Sequence, residues 1–151
     1  MRMVPLTQGH KAMVDEDDYE KVMKYKWYAH FSKNEFIYAR HKGKSESFML
    51  HNFILGCKGV DHIDRNGLNC QRFNLRIATS SQQSANRVLP RKNEFIGVWK
   101  NNDKWSASLR CNGIRYYAGA FNEIKDAAKA YDEMAKKYHG EFAVLNFPES
   151  K

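Results

Sequence analysis

Apolar and polar positions follow one rhythm over the first ninety residues of this chain and another over the last sixty. In the first stretch, short apolar runs are broken by polar clusters. Lys11-Ala12-Met13-Val14 reads as a strand, and Asp15 as the cap of a helix reaching about Lys24. Glu16, Asp17 and Asp18 fill the first turn of that helix, where its dipole favours anions. Trp27 to Phe31 and Phe36 to Arg40 read as a hairpin turning through Ser32-Lys33-Asn34-Glu35. Phe48 to Leu55 is a largely apolar stretch around His51 and Asn52, read as a short helix stopped by Gly56. Val60 to Ile63 is the next strand, Asp64 to Phe73 a polar loop, and Asn74 to Ala78 a returning strand. Thr79 or Ser80 then caps a helix to about Val88, and Pro90 with Arg91, Lys92 and Asn93 marks a linker.

Beyond the linker the pattern becomes three strands and one helix. The strands are Gly97 to Lys100, Lys104 to Arg110 and Ile114 to Gly119, turning at Asn101-Asn102-Asp103 and at Asn112-Gly113. An Asn-Gly pair is a strong tight-hairpin signal, because both central residues of that turn need positive φ. Asn122 caps a helix from Glu123 to about Tyr138, ended by His139-Gly140, with Ala127, Ala128, Tyr131, Met134 and Ala135 as its apolar stripe. Strand alternation puts Val98, Trp105, Ala107 and Leu109 on the face that packs on this stripe. Trp99, Ser106, Ser108, Arg110, Arg115 and Tyr117 fall on the other face. The fold class expected is α+β, with an N-terminal region over 1–89, a linker over 90–94 and a sheet-plus-helix domain over 95–148. No internal repeat relates the parts.

Charge sharpens this picture. Against 17 acidic residues stand 25 basic ones, giving a net charge of +8. That balance favours a polyanionic partner. Residues 91 to 117 hold six basic and two acidic groups, a balance of +4, whereas residues 118 to 151 hold five basic and six acidic, a balance of −1. The positive field is therefore expected on the sheet. No run of about 18 apolar residues occurs, so no membrane span is expected, and the polar N-terminal stretch predicts no secretory or other targeting signal. Cys57, Cys70 and Cys111 are too scattered for a disulfide frame and read as free, packed thiols of a cytoplasmic protein.

The chemistry concentrates in Asp61-His62-Ile63-Asp64, followed by Asn74-Leu75-Arg76 and then Gln83. A carboxylate can hold a divalent cation, an imidazole can take a proton from water, and an amide oxygen can complete the metal site. These are the parts of a one-metal phosphodiesterase.

With Asn66 and Thr79, these residues and their strand–loop–strand–helix setting over about 60–88 resemble the HNH nucleases and their ββα-metal module. The resemblance implies Asp61 and Gln83 as metal ligands, His62 as general base, and Asn74 as the asparagine that steadies the loop and the histidine. It implies Mg²⁺ or Mn²⁺ as cofactor, since hard oxygen donors suit both. Gln83 is one methylene longer than the family's usual ligand, and Asn86 one turn later is an alternative. His51 either contacts phosphate, braces the site or serves the core. Arg76 and Arg87, with Arg65 and Arg72, lie close enough in sequence to grip a DNA backbone.

Residues 95 to 148 resemble the DNA-binding domain of plant ethylene-response factors, the Apetala-two class. The matching residues are Gly97-Val98, Lys104-Trp105-Ser106-Ala107, Leu109-Arg110, Gly119, Phe121, Ala127-Ala128, Ala130-Tyr131-Asp132, His139-Gly140 and Leu145-Asn146-Phe147-Pro148. That family lays a three-stranded antiparallel sheet in the major groove. Trp99, Lys100, Lys104, Ser108, Arg110, Arg115 and Tyr117 are the expected DNA contacts on this sheet. Trp99, Asn101 and Ile96 stand where the plant domains have arginine, so the plant target sequence is not expected to carry over.

Together these features lead to an expected metal-dependent DNA endonuclease of the homing or phage type, located on double-stranded DNA by its C-terminal sheet. The missing repeat predicts a monomer on an asymmetric site, working in a bacterial or phage-infected cytoplasm. Two alternatives stay open: a catalytically degenerate HNH protein that only binds DNA, and an RNA-binding protein.

Overall fold

The computed structural model describes residues 1–32, 36–86 and 94–148. The chain divides into two compact units, Met1–Thr79 and Ser80–Lys151. Among the described residues there are four helices and four small antiparallel sheets, a mixed α and β architecture. No helix among them is long and apolar enough to cross a membrane.

In the first unit β1 (Arg2–Pro5) pairs with β2 (Lys11–Val14), turning Val4, Ala12 and Val14 inward. The helix α1 (Glu16–Met23) follows, and β3 (Tyr28–Phe31), β4 (Ile37–Lys42) and β5 (Ser47–Met49) form a three-stranded sheet in that order. The short helix α2 (Leu50–Leu55) packs against β4, β5 and the next strand, β6 (Val60–His62), which pairs with β7 (Leu75–Ile77). Leu50, Ile54, Val22, Trp27, Ala39 and Val60 make one core under these elements. The indole of Trp27 stays satisfied there by donating to the Val22 carbonyl at 2.8 Å.

Three features depart from the sequence pattern. β1 was not anticipated, and β5 takes the first residues of the apolar run read as a helix. Asp15 sits at the N-cap position of α1 but makes no side-chain capping bond. Its carboxylate accepts instead from the backbone N–H of Arg72 at 2.8 Å and the Gln71 amide at 3.1 Å. The Arg72 N–H, before the Gln71 amide, holds that carboxyl below its ordinary pKa. Gly56 ends α2 in the left-handed region at φ 71°, as a C-terminal glycine should.

The second unit begins with α3 (Ser80–Asn86), so the helix bearing Gln83 is counted with the sheet. The strands β8 (Val98–Asn101), β9 (Lys104–Cys111) and β10 (Ile114–Phe121) pair in the order β10-β9-β8. Asn112 and Gly113 turn between the last two with φ of 50° and 81°. The helix α4 (Ile124–His139) lays Ala127, Ala128, Tyr131 and Ala135 on Val98, Ala107 and Leu109. Behind it, buried Asp132 accepts the N–H groups of Asn146 and Phe147 at 2.7 and 2.8 Å, while the Asn146 amide pairs with both backbone groups of Ile96. The tail thus closes the end of the sheet. α3 belongs to the same packing: the Asn112 N–H donates to Ser81 Oγ at 2.9 Å.

Candidate functional site

The loop between β6 and β7 is folded around two side chains. Asp64 Oδ1 accepts the Asn66 N–H at 2.8 Å and the Asn74 amide at 2.8 Å, and its Oδ2 accepts the Asn69 amide at 2.8 Å. Burial raises the Asp64 pKa, but the Asn66 N–H and the two amides outweigh it and leave it below the ordinary value. Asn74 is 2% exposed and closes the circuit. Its Oδ1 accepts the Asp64 N–H at 3.0 Å, and its amide also donates to the Asn69 carbonyl at 2.8 Å. One asparagine thus ties the end of the loop to the residues following His62. Gly67 is needed inside this loop because a Cβ there would lie 2.4 Å from the Ile37 carbonyl.

His62, the last residue of β6, points into the core and is buried. Its ring centroid is 4.8 Å from that of His51 on α2, edge to face, and 6.0 Å from the Tyr38 ring. Its Nε2 is 3.7 Å from Cys70 Sγ. Cys70 is fixed from behind by β2, whose Met13 donates to the Leu68 carbonyl and accepts from the Cys70 N–H, both at 2.8 Å. Burial lowers the His62 pKa to about 4 against the pull of Asp64 and Asp61. Burial, and then the facing His62, lowers that of His51 to about 3. The Cys70 thiol is pushed up to about 12 by burial first and Asp64 second. All three groups are therefore neutral near pH 7. Sequence reasoning left His51 open and treated Cys70 as packing; only the fold brings them to His62.

Asp61 alternates to the other face of β6, opposite Arg76 in the ribbon register. Arg76 donates to Asp61 Oδ2 from Nε at 3.2 Å and from Nη2 at 3.1 Å, and both side chains are largely buried. The arginine expected to reach a DNA backbone thus meets the carboxylate expected to hold a cation. Arg72 is also engaged, forking onto buried Asp18 with two bonds of 2.7 Å. Gln83 is half-buried on α3 and Asn86 is buried there. Asp61 and Gln83 therefore belong to different units. Arg87 and residues 90–93 of the expected linker lie outside the described residues.

On the sheet of the second unit, register pairs Arg110 with Arg115, Ser108 with Tyr117, and Trp99 with Ser106. Arg110, Arg115 and Tyr117 are exposed, and the Trp99 ring lies 6.2 Å from that of Tyr117. Lys104 is exposed and shares the parity of this row. Lys100 is exposed too, but it pairs with Trp105, so it rises from the helix-side face at the sheet's edge. Ser106 lies on the expected face but is not open to solvent. It is fully buried, and its hydroxyl lies 3.0 Å from the Tyr117 hydroxyl. Tyr131 is a core residue whose pKa burial raises.

An HNH endonuclease of Acanthamoeba polyphaga mimivirus, itself described as uncharacterized, is 36% identical to this chain over 148 residues, covering 92% of this chain and 76% of that protein. The chain belongs to the HNH endonuclease family. HNH nucleases generally use divalent metal ions, and among the described residues of this member one donor atom each from His51, His62 and Cys70 lies close enough together to hold an ion. Part of this HNH chain is also similar to plant proteins. An ethylene-responsive transcription factor of Arabidopsis thaliana is 33% identical over 94 residues, 58% of each chain. A dehydration-responsive element-binding protein of the same plant is 47% identical over 49 residues, 31% of this chain and 15% of the plant protein. No family model matches the chain.

Proposed function

We propose that this protein is a metal-dependent DNA endonuclease in which residues 1–89 carry the hydrolytic chemistry and residues 95–148 locate double-stranded DNA. The observation that carries the reading is the closed Asp64–Asn74 circuit directly behind His62. It supports a rigidly held imidazole at the end of a strand, which is what a positioned proton acceptor needs.

In this reading His62 is the general base. Its neutral ring has one unprotonated nitrogen, so it can accept a proton from water at neutral pH. A phosphate anion brought near would raise its basicity towards the useful range. Asp61 and Gln83 supply a carboxylate and an amide oxygen, a donor set that fits Mg²⁺ or Mn²⁺. When bound, such an ion supplies charge stabilisation for the scissile phosphate and the leaving oxygen. Asp61 would hold such an ion through the same carboxylate that Arg76 now pairs with, and Arg76 would sit beside it as a guanidinium suited to a phosphate. Arg110, Arg115, Lys104, Lys100, Trp99, Ser108 and Tyr117 hold the duplex, the arginines on base edges or phosphates. One chain with one site nicks a single strand.

A second reading has one observation in its favour: the Asp61–Arg76 pair neutralises the carboxylate that catalysis needs. In that reading the protein only occupies DNA. Plasmid relaxation separates the two. With Mg²⁺ or Mn²⁺ the wild type is expected to nick supercoiled plasmid, and His62→Ala to lose roughly two to four orders of magnitude in rate. No nicking by the wild type with either ion would favour the binding-only reading.

A further inference from the structure

We propose that His51, His62 and Cys70 form a buried binding site for a zinc-type cation, separate from the oxygen donors of Asp61 and Gln83. One donor atom from each residue lies within 4.8 Å of the other two, and all three side chains are more than nine-tenths buried. Three separate elements bring them together: α2, the end of β6, and the loop segment clasped by β2.

The spacing suits such an ion. Zinc bonds of about 2.3 Å to sulfur and 2.0–2.1 Å to nitrogen, at tetrahedral angles, set the two atoms roughly 3.6 Å apart. Cys70 Sγ and His62 Nε2 stand 3.7 Å apart. The pocket also contains an independent sign of a missing partner: His51 Nδ1 is buried with no hydrogen-bond partner among the described residues. A polar atom left so in a core costs about 1–3 kcal/mol, and a coordinated ion would restore the loss for a ring that can turn either nitrogen to it. Donor chemistry selects the ion. A thiol and two imidazoles are soft and borderline ligands, which prefer Zn²⁺ or Co²⁺ over Mg²⁺ or Mn²⁺. Three protein donors leave one coordination position open.

On binding, the Cys70 S–H proton leaves to solvent and a metal–sulfur bond forms. Each imidazole gives its lone pair and keeps its N–H, so nothing is oxidised or reduced. A neutral imidazole has one lone pair only. An ion on His62 therefore removes it as a proton acceptor, and zinc becomes an off-signal for hydrolysis; this consequence rests on the base role proposed above.

The test uses the full chain, stripped with a chelator and kept reduced with a phosphine. Titration with Co²⁺ should saturate at one ion per chain, with a thiolate-to-cobalt charge-transfer band that Zn²⁺ abolishes. Cys70→Ser should lose the band and weaken zinc binding on the order of 100-fold or more, since even an outer partner of a ligand costs up to that. Cys57→Ser with Cys111→Ser should leave both unchanged. Zinc-edge X-ray absorption of the wild type should find one sulfur and two nitrogens, which keeps the test valid if Cys70→Ser does not fold. No charge-transfer band, a band that survives in Cys70→Ser, or a shell of nitrogen and oxygen alone would overturn the site. In a parallel arm, Zn²⁺ should stop Mg²⁺-driven plasmid nicking. Nicking without a cobalt band defeats the zinc site and keeps the base, whereas a cobalt band in a chain that never nicks keeps the site and defeats the base.

Discussion

His51 and His62 are held neutral in a core, and this has a direct consequence for stability. Their folded pKa values of about 3 and about 4 lie below the value of 6.5 expected in an unfolded chain. As pH falls below about 6.5, the unfolded state takes up protons that the folded state refuses, so stability drops with pH; above that value neither state changes. The slope is about 1.4 kcal/mol per pH unit for each histidine that titrates only when unfolded. Thermal melts should be flat between pH 7 and 8 and fall steeply from about pH 6.5 towards 4. A melting temperature that does not change down to pH 4.5 would contradict neutral burial. The pair was only half legible in the sequence. His62 stands beside an acid at a recognisable spacing, whereas its neighbours Cys70 and His51 arrive through β2 and α2, contacts no local pattern announces. Asp15 teaches the same lesson. Its place before a helix predicted a cap, but its carboxylate is used by Gln71 and Arg72 far along the chain.

At the scale of elements, alternation was the most dependable guide. It sorted Val98, Ala107 and Leu109 onto the helix and Arg110, Arg115 and Tyr117 away from it. It set Ser106 on the face of Trp99 and Tyr117, where the residue is nonetheless buried, because a small hydroxyl beneath Tyr117 can be covered at little cost once the two oxygens meet. Periodicity failed at β5, since Phe48 to Leu55 is apolar except at His51 and Asn52, and so short a run carries no clear period to separate strand from helix. The start of β8 offers a quantitative test. Gly97 has φ +67°, and a Cβ there would lie 2.2 Å from a Tyr131 ring carbon and 2.7 Å from the Ser108 carbonyl. Gly113 has φ +81° with nothing within 4 Å. Gly97→Ala should therefore cost roughly 2–5 kcal/mol, strain and overlap together, and Gly113→Ala about 1 kcal/mol from strain alone. Equal costs in denaturant melts would mean that the close approach of strand and Tyr131 is wrong.

Within the part of the chain beyond residue 90, the positive charge gathers on residues 91 to 117, which include the sheet row of Lys104, Arg110 and Arg115. If that row meets phosphates, Arg110→Ala with Arg115→Ala should reduce the log–log salt slope for duplex binding by roughly 2. Lys125→Ala with Lys129→Ala, on α4, should leave the slope alone. An equal change from both pairs would remove the sheet as the docking face. The overall α and β character and the strand–loop–strand core were legible because turn residues and short apolar runs punctuate them clearly. The division of the chain into units was not legible in the same way. It falls between Thr79 and Ser80, inside the stretch that sequence spacing reads as one motif. In evolutionary terms the seam of the folded chain and the seam of the motif do not coincide. A genetic exchange that joined such parts at the folded seam would carry Gln83 with the incoming sheet and leave Asp61 behind.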